Sequence, residues 1–516
     1  MQFDRRALML AMGHMAIPLA FAPARLLAAP LGAFPFTLGV AAGDPWPDGF
    51  VIWTRLAPRP LDEHGGMPMA PVPVRWEVAE DEGFSRIAAH GEAVARPELA
   101  HSVHVEVGGL LPHRHYWYRF ATAGSDISPS GRARTAPPAE MLPQRLRIGV
   151  AGCQKWEHGY FDAWGHLARE PDLDLIYHYG DYIYEGAADP SNPWIVRPHL
   201  GDKLYSLDDY RRRYAQYKTD AHLQAAHRAC AFLSTFDDHE VDNNWAADID
   251  RDGSPPEIFA LRRFAAMQAW YEHMPVRQAQ MPRLFGRTNY YRRLDYGRLV
   301  RMHVLDTRSH RSDQPCNDGK VRPCPPEAHV SPTMLGQAQE DWLDEGLGNE
   351  AHWNLLAQQV LVMPYDRNPS EGGEPDFGYD SWDGYRPARA RLIESIRRHG
   401  LTNAVIASGD YHRHFVGTLP CRDEAPDGEM AAVEFLATSI TSGGDGRPLP
   451  DLEGQYRKNP HFKLMIDKRG YQLFDIAPGL WKTDVKVMDH VQAPGGAIST
   501  LASFAVEPGR VAVERA

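Results

Sequence analysis

The sequence predicts a two-part protein, a β-sandwich over residues 31–140 followed by a layered α/β domain over 141–516. Three observations predict it. Residues 36–134 run in short alternating apolar and polar stretches broken by Pro and Gly, the period of antiparallel strands with one buried face. A Pro-rich piece at 136–143 then marks a linker. Beyond it, short apolar runs alternate with amphipathic stretches of helical period, the pattern of a sheet covered by helices.

The first 30 residues stand apart from both parts. Arg5-Arg6, an apolar run over 7–22 and small residues at Ala24, Ala28 and Ala29 predict a twin-arginine export signal. The protein is therefore expected to use the twin-arginine export machinery and to be periplasmic or secreted in a bacterium. Asp4 stands where Ser or Thr is usual and Leu8 where Phe is usual, while Pro18 and Pro23 interrupt the run. A buried or membrane-anchoring helix is the alternative.

In the sandwich, strands are expected around Val51-Ile52-Trp53, 74–78, 103–107 and 116–120. Leu110-Leu111-Pro112 ahead of Tyr116 and Tyr118 resembles the tyrosine corner of fibronectin-like modules. No ionisable cluster occurs there, so its expected role is structural. In the α/β part, strands are expected at 146–151, 173–179, 231–236, 299–305, 353–362, 403–408 and 433–438. Helices are expected at 160–169, 207–218, 256–273, 334–347 and 387–398; the third opens on Pro-Pro-Glu, a favourable first turn. Residues from Leu480 on read as a final pair of strands rather than a lid over the cleft.

Composition bounds the function. A chain of 516 residues with 43% hydrophobic content has ample core for two domains. The net charge of −12 argues against non-specific nucleic-acid binding, which depends on basic surface. Past the N-terminus no apolar run is long enough to span a bilayer, so no stable membrane anchor is expected in the mature protein. Five cysteines in an exported protein leave one or more unpaired. Cys316 and Cys324, in a Pro/Asp/Gly-rich loop, are candidates for a small disulfide, and Cys230 and Cys421 for buried thiols or a second bridge. Cys153 is the odd one.

Five expected strands end in residues able to bind metal: Gly152-Cys153, Gly180-Asp181, Asp237-Asp238-His239-Glu240, Leu305-Asp306-Thr307-Arg308 and Gly409-Asp410-Tyr411-His412. In open α/β sheets the ligand crevice lies outside the carboxyl ends of the strands. Bringing Asp181, Asp238 and Asp410 together costs on the order of 1 kcal/mol per pair even in water, and more in a dry cleft, so convergence requires cations. A thiolate and the Tyr184 phenolate suit a strongly polarising ion such as ferric iron, whereas carboxylate and amide oxygens suit calcium, magnesium or manganese. Taken singly, Cys153 reads as a buried thiol, Tyr184 as packing and Asp306 as a turn cap. Their shared placement favours a polynuclear site.

The ordered set Gly-Cys-Gln (152–154), Gly-Asp-Tyr-Ile-Tyr-Glu (180–185), Asp-Asp-His-Glu-Val-Asp-Asn-Asn-Trp (237–245), Leu-Asp-Thr-Arg (305–308) and Gly-Asp-Tyr-His (409–412) resembles the PhoD-type alkaline phosphatases, a branch of the metallophosphoesterase superfamily. Gly39 to Pro45 and Trp53-Thr54-Arg55 extend the resemblance into the sandwich. It implies an α/β metallophosphoesterase layered fold with an N-terminal fibronectin-like β-sandwich domain. It also implies ferric iron (Fe3+) on Cys153 and Tyr184, Asp181 bridging, and Asp238, Asn243, Asp410 and His412 among the remaining ligands, with calcium (Ca2+) as the second metal. Asn244 competes with Asn243 for its place. Phe236 where tryptophan is common, and Arg413-His414 where smaller residues are frequent, depart from the pattern and bear on substrate preference.

The expected chemistry is hydrolysis of phosphate mono- and diesters at alkaline pH by a metal-activated hydroxide. His239 is the candidate for positioning the phosphate or protonating the leaving oxygen. Arg308 is the candidate for a phosphate oxygen, with a structural ion pair as its alternative. A phospholipase D-like diesterase on the same fold, and a non-catalytic calcium-stabilised surface binding protein, are the competing readings.

Overall fold

The computed structural model describes residues 33–124, 126–283, 288–321, 324–325 and 332–516. The export signal expected over 1–30 therefore lies outside the described residues. Seven strands form the N-terminal module: β1 Val40–Trp46, β2 Gly49–Arg55, β3 Val72–Ala79, β4 Ile87–Ala95, β5 Ser102–Val107, β6 His115–Thr122 and β7 Gly131–Arg134. One layer is β1-β2-β5 and the other β4-β3-β6-β7. Phe50, Ile52, Val74, Val78, Tyr118 and Phe120 fill the space between them. The tyrosine corner is present: the Tyr116 hydroxyl accepts from Leu111 N at 2.9 Å.

The module does not end at its own edge. β1 pairs in parallel with β10 Ala231–Ser234, with Ala42 opposite Ala231 and Gly43 opposite Phe232. A Cβ at Gly43 would lie 2.0 Å from Pro275 O and 2.9 Å from Phe232 O, so only glycine allows this approach. One ten-stranded sheet results, running from β5, β2 and β1 through β10, β9 Leu175–His178 and β8 Leu146–Ala151. It continues into four C-terminal strands, Gly470–Ala477, Leu480–Met488, Ile498–Val506 and Glu514–Arg515.

The second large sheet has seven strands, four of them parallel neighbours: Val300–Val304, Trp353–Ala357, Ala404–Ser408 and Met430–Leu436. The two sheets face each other across a shared apolar layer in which Val150, Tyr177 and Leu233 meet Val304, Ala357, Ala407 and Phe435. Helices cover the outer faces. Leu207–Lys218, Ala221–Ala229 and Pro256–His273 bury Tyr210, Tyr214, Leu223, Phe259 and Trp270 against Ile176 and Phe232 of the first sheet. Gln337–Gly346 and Arg386–Arg398 bury Leu343, Leu392 and Ile396 against Leu356, Ile406 and Leu436 of the second. The fold is the expected layered α/β arrangement behind a β-sandwich, and it brings the carboxyl ends of both parallel sets to one rim.

Local sequence accounts for the helix starts. Ser206 and Asp209 form a capping box ahead of Leu207–Lys218, and the Asp220 side chain accepts from His222 N and Leu223 N to start the next helix. Ala221–Ala229 is a helix beyond those expected from sequence, and it follows its neighbour after two residues, Thr219 and Asp220. Cys316 and Cys324 form the expected disulfide, while Cys153, Cys230 and Cys421 are free thiols.

Candidate metal centre

β8 ends in Gly152-Cys153, and β9 runs on to Gly180-Asp181. These two turns are tied together, with Cys153 N donating to Gly180 O at 3.0 Å and Gln154 N to Asp181 O at 3.1 Å. Gly180 has φ +125, and a Cβ there would sit 2.4 Å from Asp237 N, so the turn passes directly over the end of β10. Cys153, Asp181, Asp410 and His412 all have positive φ, between 47 and 66. Four non-glycine residues in that region, each costing on the order of 1 kcal/mol or more, are held there by the surrounding structure.

The side chains converge. One ligand atom each from Cys153, Asp181 and His412 lie within 4.8 Å of one another, as do atoms from Asp181, Asp238 and His239 and from Asp237, Asp238 and Asp410. Asp181 belongs to the first two groups and Asp238 to the last two, so the three form one chain of donors. The Tyr184 hydroxyl donates to Asp181 Oδ2 at 2.7 Å and lies 3.2 Å from His412 Nε2. Ser442 Oγ lies 2.7 Å from that hydroxyl and 2.7 Å from Cys153 O, both acceptors within reach of its one proton. His239 lies beside them, its ring 4.1 Å from that of Tyr184 and its Nδ1 2.6 Å from Glu185 Oε2.

Four other residues of the sequence motifs make contacts of their own. Arg308 is fully buried, with Nε on Asp237 Oδ1 at 2.6 Å and its other arms on Asp380 at 2.9 Å, so the ion pair is the arrangement present. Asn243 N donates to Glu185 Oε1, whereas Asn244 N donates to Asp238 Oδ2 at 2.8 Å and its amide to Asp318 Oδ2 at 2.8 Å. Asp306 caps its own turn, accepting from Arg308 N and Ser309 N. Tyr182, bonded to His227, and His178, stacked on Trp164, serve packing.

Burial raises the Asp181 and Asp410 carboxyls well above the usual range, and the neighbouring Asp238 and Asp237 raise them further. Burial likewise pushes the Cys153 thiol up, reinforced by Asp181 and Asp410. Asp237 is raised by burial to about 6 against the pull of Arg308. Burial opposes a charge on His239, but Glu185, Asp238 and Asp181 outweigh it and hold the imidazole well above its ordinary value. Asp237 Oδ2 and Asp238 Oδ1 are buried without a hydrogen bond. Anions this close, with orphaned acceptors and, among the described residues, no cationic partner beyond Arg308 and His239, fit a site that holds cations. Thiol, imidazole and phenol gather at one end and carboxylates at the other, which suits two kinds of ion.

A family model described as PhoD-like phosphatase matches residues 148–485, and the model of that family's N-terminal domain matches residues 21–137. The chain belongs to the PhoD-like phosphatase family. Alkaline phosphatase D of Bacillus subtilis (strain 168) is 45% identical over 488 residues, spanning 94% of this chain and 82% of that protein. The solved structure of PhoD aligns at 44% identity with a TM-score of 0.90, covering 94% of this chain and 93% of that one. Of the residues that carried the resemblance in sequence, Cys153, Asp181, Tyr184, Asp238, His239, Asp410 and His412 are gathered at the rim of this PhoD-like phosphatase.

Several residues in this PhoD-like site were assigned no specific role from sequence. Glu240 accepts from Asp181 N, Tyr182 N and Asp237 N, at 3.0, 2.6 and 2.9 Å, and so joins the ends of β9 and β10. Ser442 follows the strand Met430–Leu436, and the rule that polar residues cluster at strand ends could have found it. Asp380, which fixes Arg308 and Arg311, lies in an irregular stretch far from any strand end and carries no such signal.

Proposed function

We propose that the protein is an exported, metal-dependent phosphatase that hydrolyses phosphate mono- and diesters at alkaline pH. The observation that supports this best is the continuous chain of donors from Cys153 through Asp181 and Asp238 to Asp410, at the carboxyl rim of two facing sheets. In this reading Cys153, Tyr184 and His412 would hold ferric iron, Asp238, Asp410 and the amide of Asn243 or Asn244 would hold calcium, and Asp181 would be shared between the two. Bound cations would lower the pKa of a water and neutralise the oxygens of the reacting phosphoryl group.

The chain's own residues do the rest. Glu185 fixes His239 through Nδ1, which leaves Nε2 to donate a proton to the leaving oxygen. Arg308 is a positioning residue: its guanidinium sets Asp237 and lies 3.6 Å from Asp238. Glu240 fixes the backbone of Asp181, so the bridging carboxylate is held before substrate arrives.

The test is phosphate release from an aryl monoester and an aryl diester at alkaline pH, with the absorption spectrum of the same sample. The active protein should show a visible phenolate-to-iron band that Tyr184→Phe removes, and chelation should abolish turnover. A colourless, iron-free protein with full activity would overturn the iron assignment. Export rests on Arg5-Arg6 and the apolar run over 7–22. Replacing both arginines with lysine should retain the protein in the cytoplasm on cell fractionation; unchanged export would refute the twin-arginine route.

A further inference from the structure

Beside the carboxylate end of the rim lies a cleft of about 600 Å³, lined among others by Asn244, Asp410, Tyr411, Arg413, Phe377 and Asp380. It opens directly from Asp410, so a group leaving a phosphate held at the rim has this space to occupy. Most charges on its walls are already matched. Asp380 is engaged by Arg308, Arg311 and Gln314. Arg367, also on the wall, is bonded to Asp376 at 3.0 Å and to Phe377 O at 2.8 Å.

Arg413 differs from these. Its nearest carboxylate, Asp467, stands 3.9 Å away and is itself held closely by Arg469. It also lies 5.9 Å from the face of Tyr411 and reaches the Tyr365 hydroxyl. Its side chain keeps 29% of its surface exposed, so the guanidinium has both reach and unused donors. We propose that Arg413 makes this cleft a leaving-group subsite selective for phosphate esters whose alcohol carries a second anionic group. A guanidinium binds carboxylate or phosphate through paired donors, and the aromatic walls suit a flat spacer between the two anions. The proposal rests on the phosphatase reading above.

A matched pair of substrates tests it: phenyl phosphate, and 4-carboxyphenyl phosphate, which adds one anion at the far end of the same leaving group. The readout is the ratio of their kcat/KM values, in the wild type and in Arg413→Ala and Arg413→Lys. Arg413→Ala should lower the ratio for the carboxylated substrate about tenfold, the scale of one charge-assisted contact. Arg413→Lys, which keeps the charge without the planar fork, should fall between the two. The same ratio in all three proteins, with phenyl phosphate still hydrolysed, would overturn the subsite and leave the phosphatase reading intact. Failure of the wild type to hydrolyse either ester would overturn both.

Discussion

At Glu240 one buried carboxylate accepts three backbone N–H groups, and at Glu434 another accepts from Val362 N, Met363 N and Ser408 Oγ. Each uses side-chain acceptors to satisfy backbone that has left its sheet, one on each side of the rim. Burial raises Glu434 from 4.5 to about 7, and its position away from the metal-binding side chains makes it a clean probe of pH. A folded-state pKa above the unfolded value gives stability that is full below about 4.5 and lost as pH rises through about 7. The wild type should therefore lose about 3 kcal/mol of stability between about pH 5 and pH 8 that Glu434→Gln does not lose. Unfolding at the two pH values measures it; equal losses in both proteins would contradict the assignment. Much of this scale was legible in sequence, because Cys153, Asp181, Asp238, Asp410 and His412 each follow an apolar run. The choice between Arg308 as substrate contact and as ion pair was not legible, since it depends on Asp380, 72 residues away in the chain.

Among the elements, the strands that carry the site were recognisable by their apolar runs, though the ladders stop short of the expected ends. The stretch expected over 231–236 pairs only as Ala231–Ser234, because Phe236 already packs outward against Trp245 and Trp270. Gly470–Ala477 escaped sequence reading, yet it pairs with β8 and shields what would otherwise be an exposed edge. The junction of β1 with β10 is likewise invisible to periodicity, which reports faces and not neighbours. Gly43 is its most sensitive point. Gly43→Val should destabilise the protein by about 2–3 kcal/mol through collision with Pro275 O and Phe232 O, read as a lower unfolding midpoint. An unchanged midpoint would mean that the junction carries no constraint.

For the whole molecule, the shared sheet gives the sandwich a structural part in the α/β layers. It supplies β1, β2 and β5 to the sheet whose other strands end in Cys153, Asp181 and Asp238. Arg55, on β2, reaches His273 at the end of the long helix at 2.7 Å, and Trp53 donates to Glu272 O at 2.9 Å. The module thus buttresses the back of the site without touching its chemistry. Among the described residues no helix is long and apolar enough to cross a membrane. The central claim is that the donors joined through Asp181 hold the cations on which phosphate ester hydrolysis depends. Metal content and aryl phosphate turnover, measured on the same samples of wild type and Asp181→Asn, test it most directly. Iron and calcium should be present in the active wild type, with both metal occupancy and turnover lost together in the folded variant. Full turnover in a metal-free wild type, or in Asp181→Asn, would contradict it.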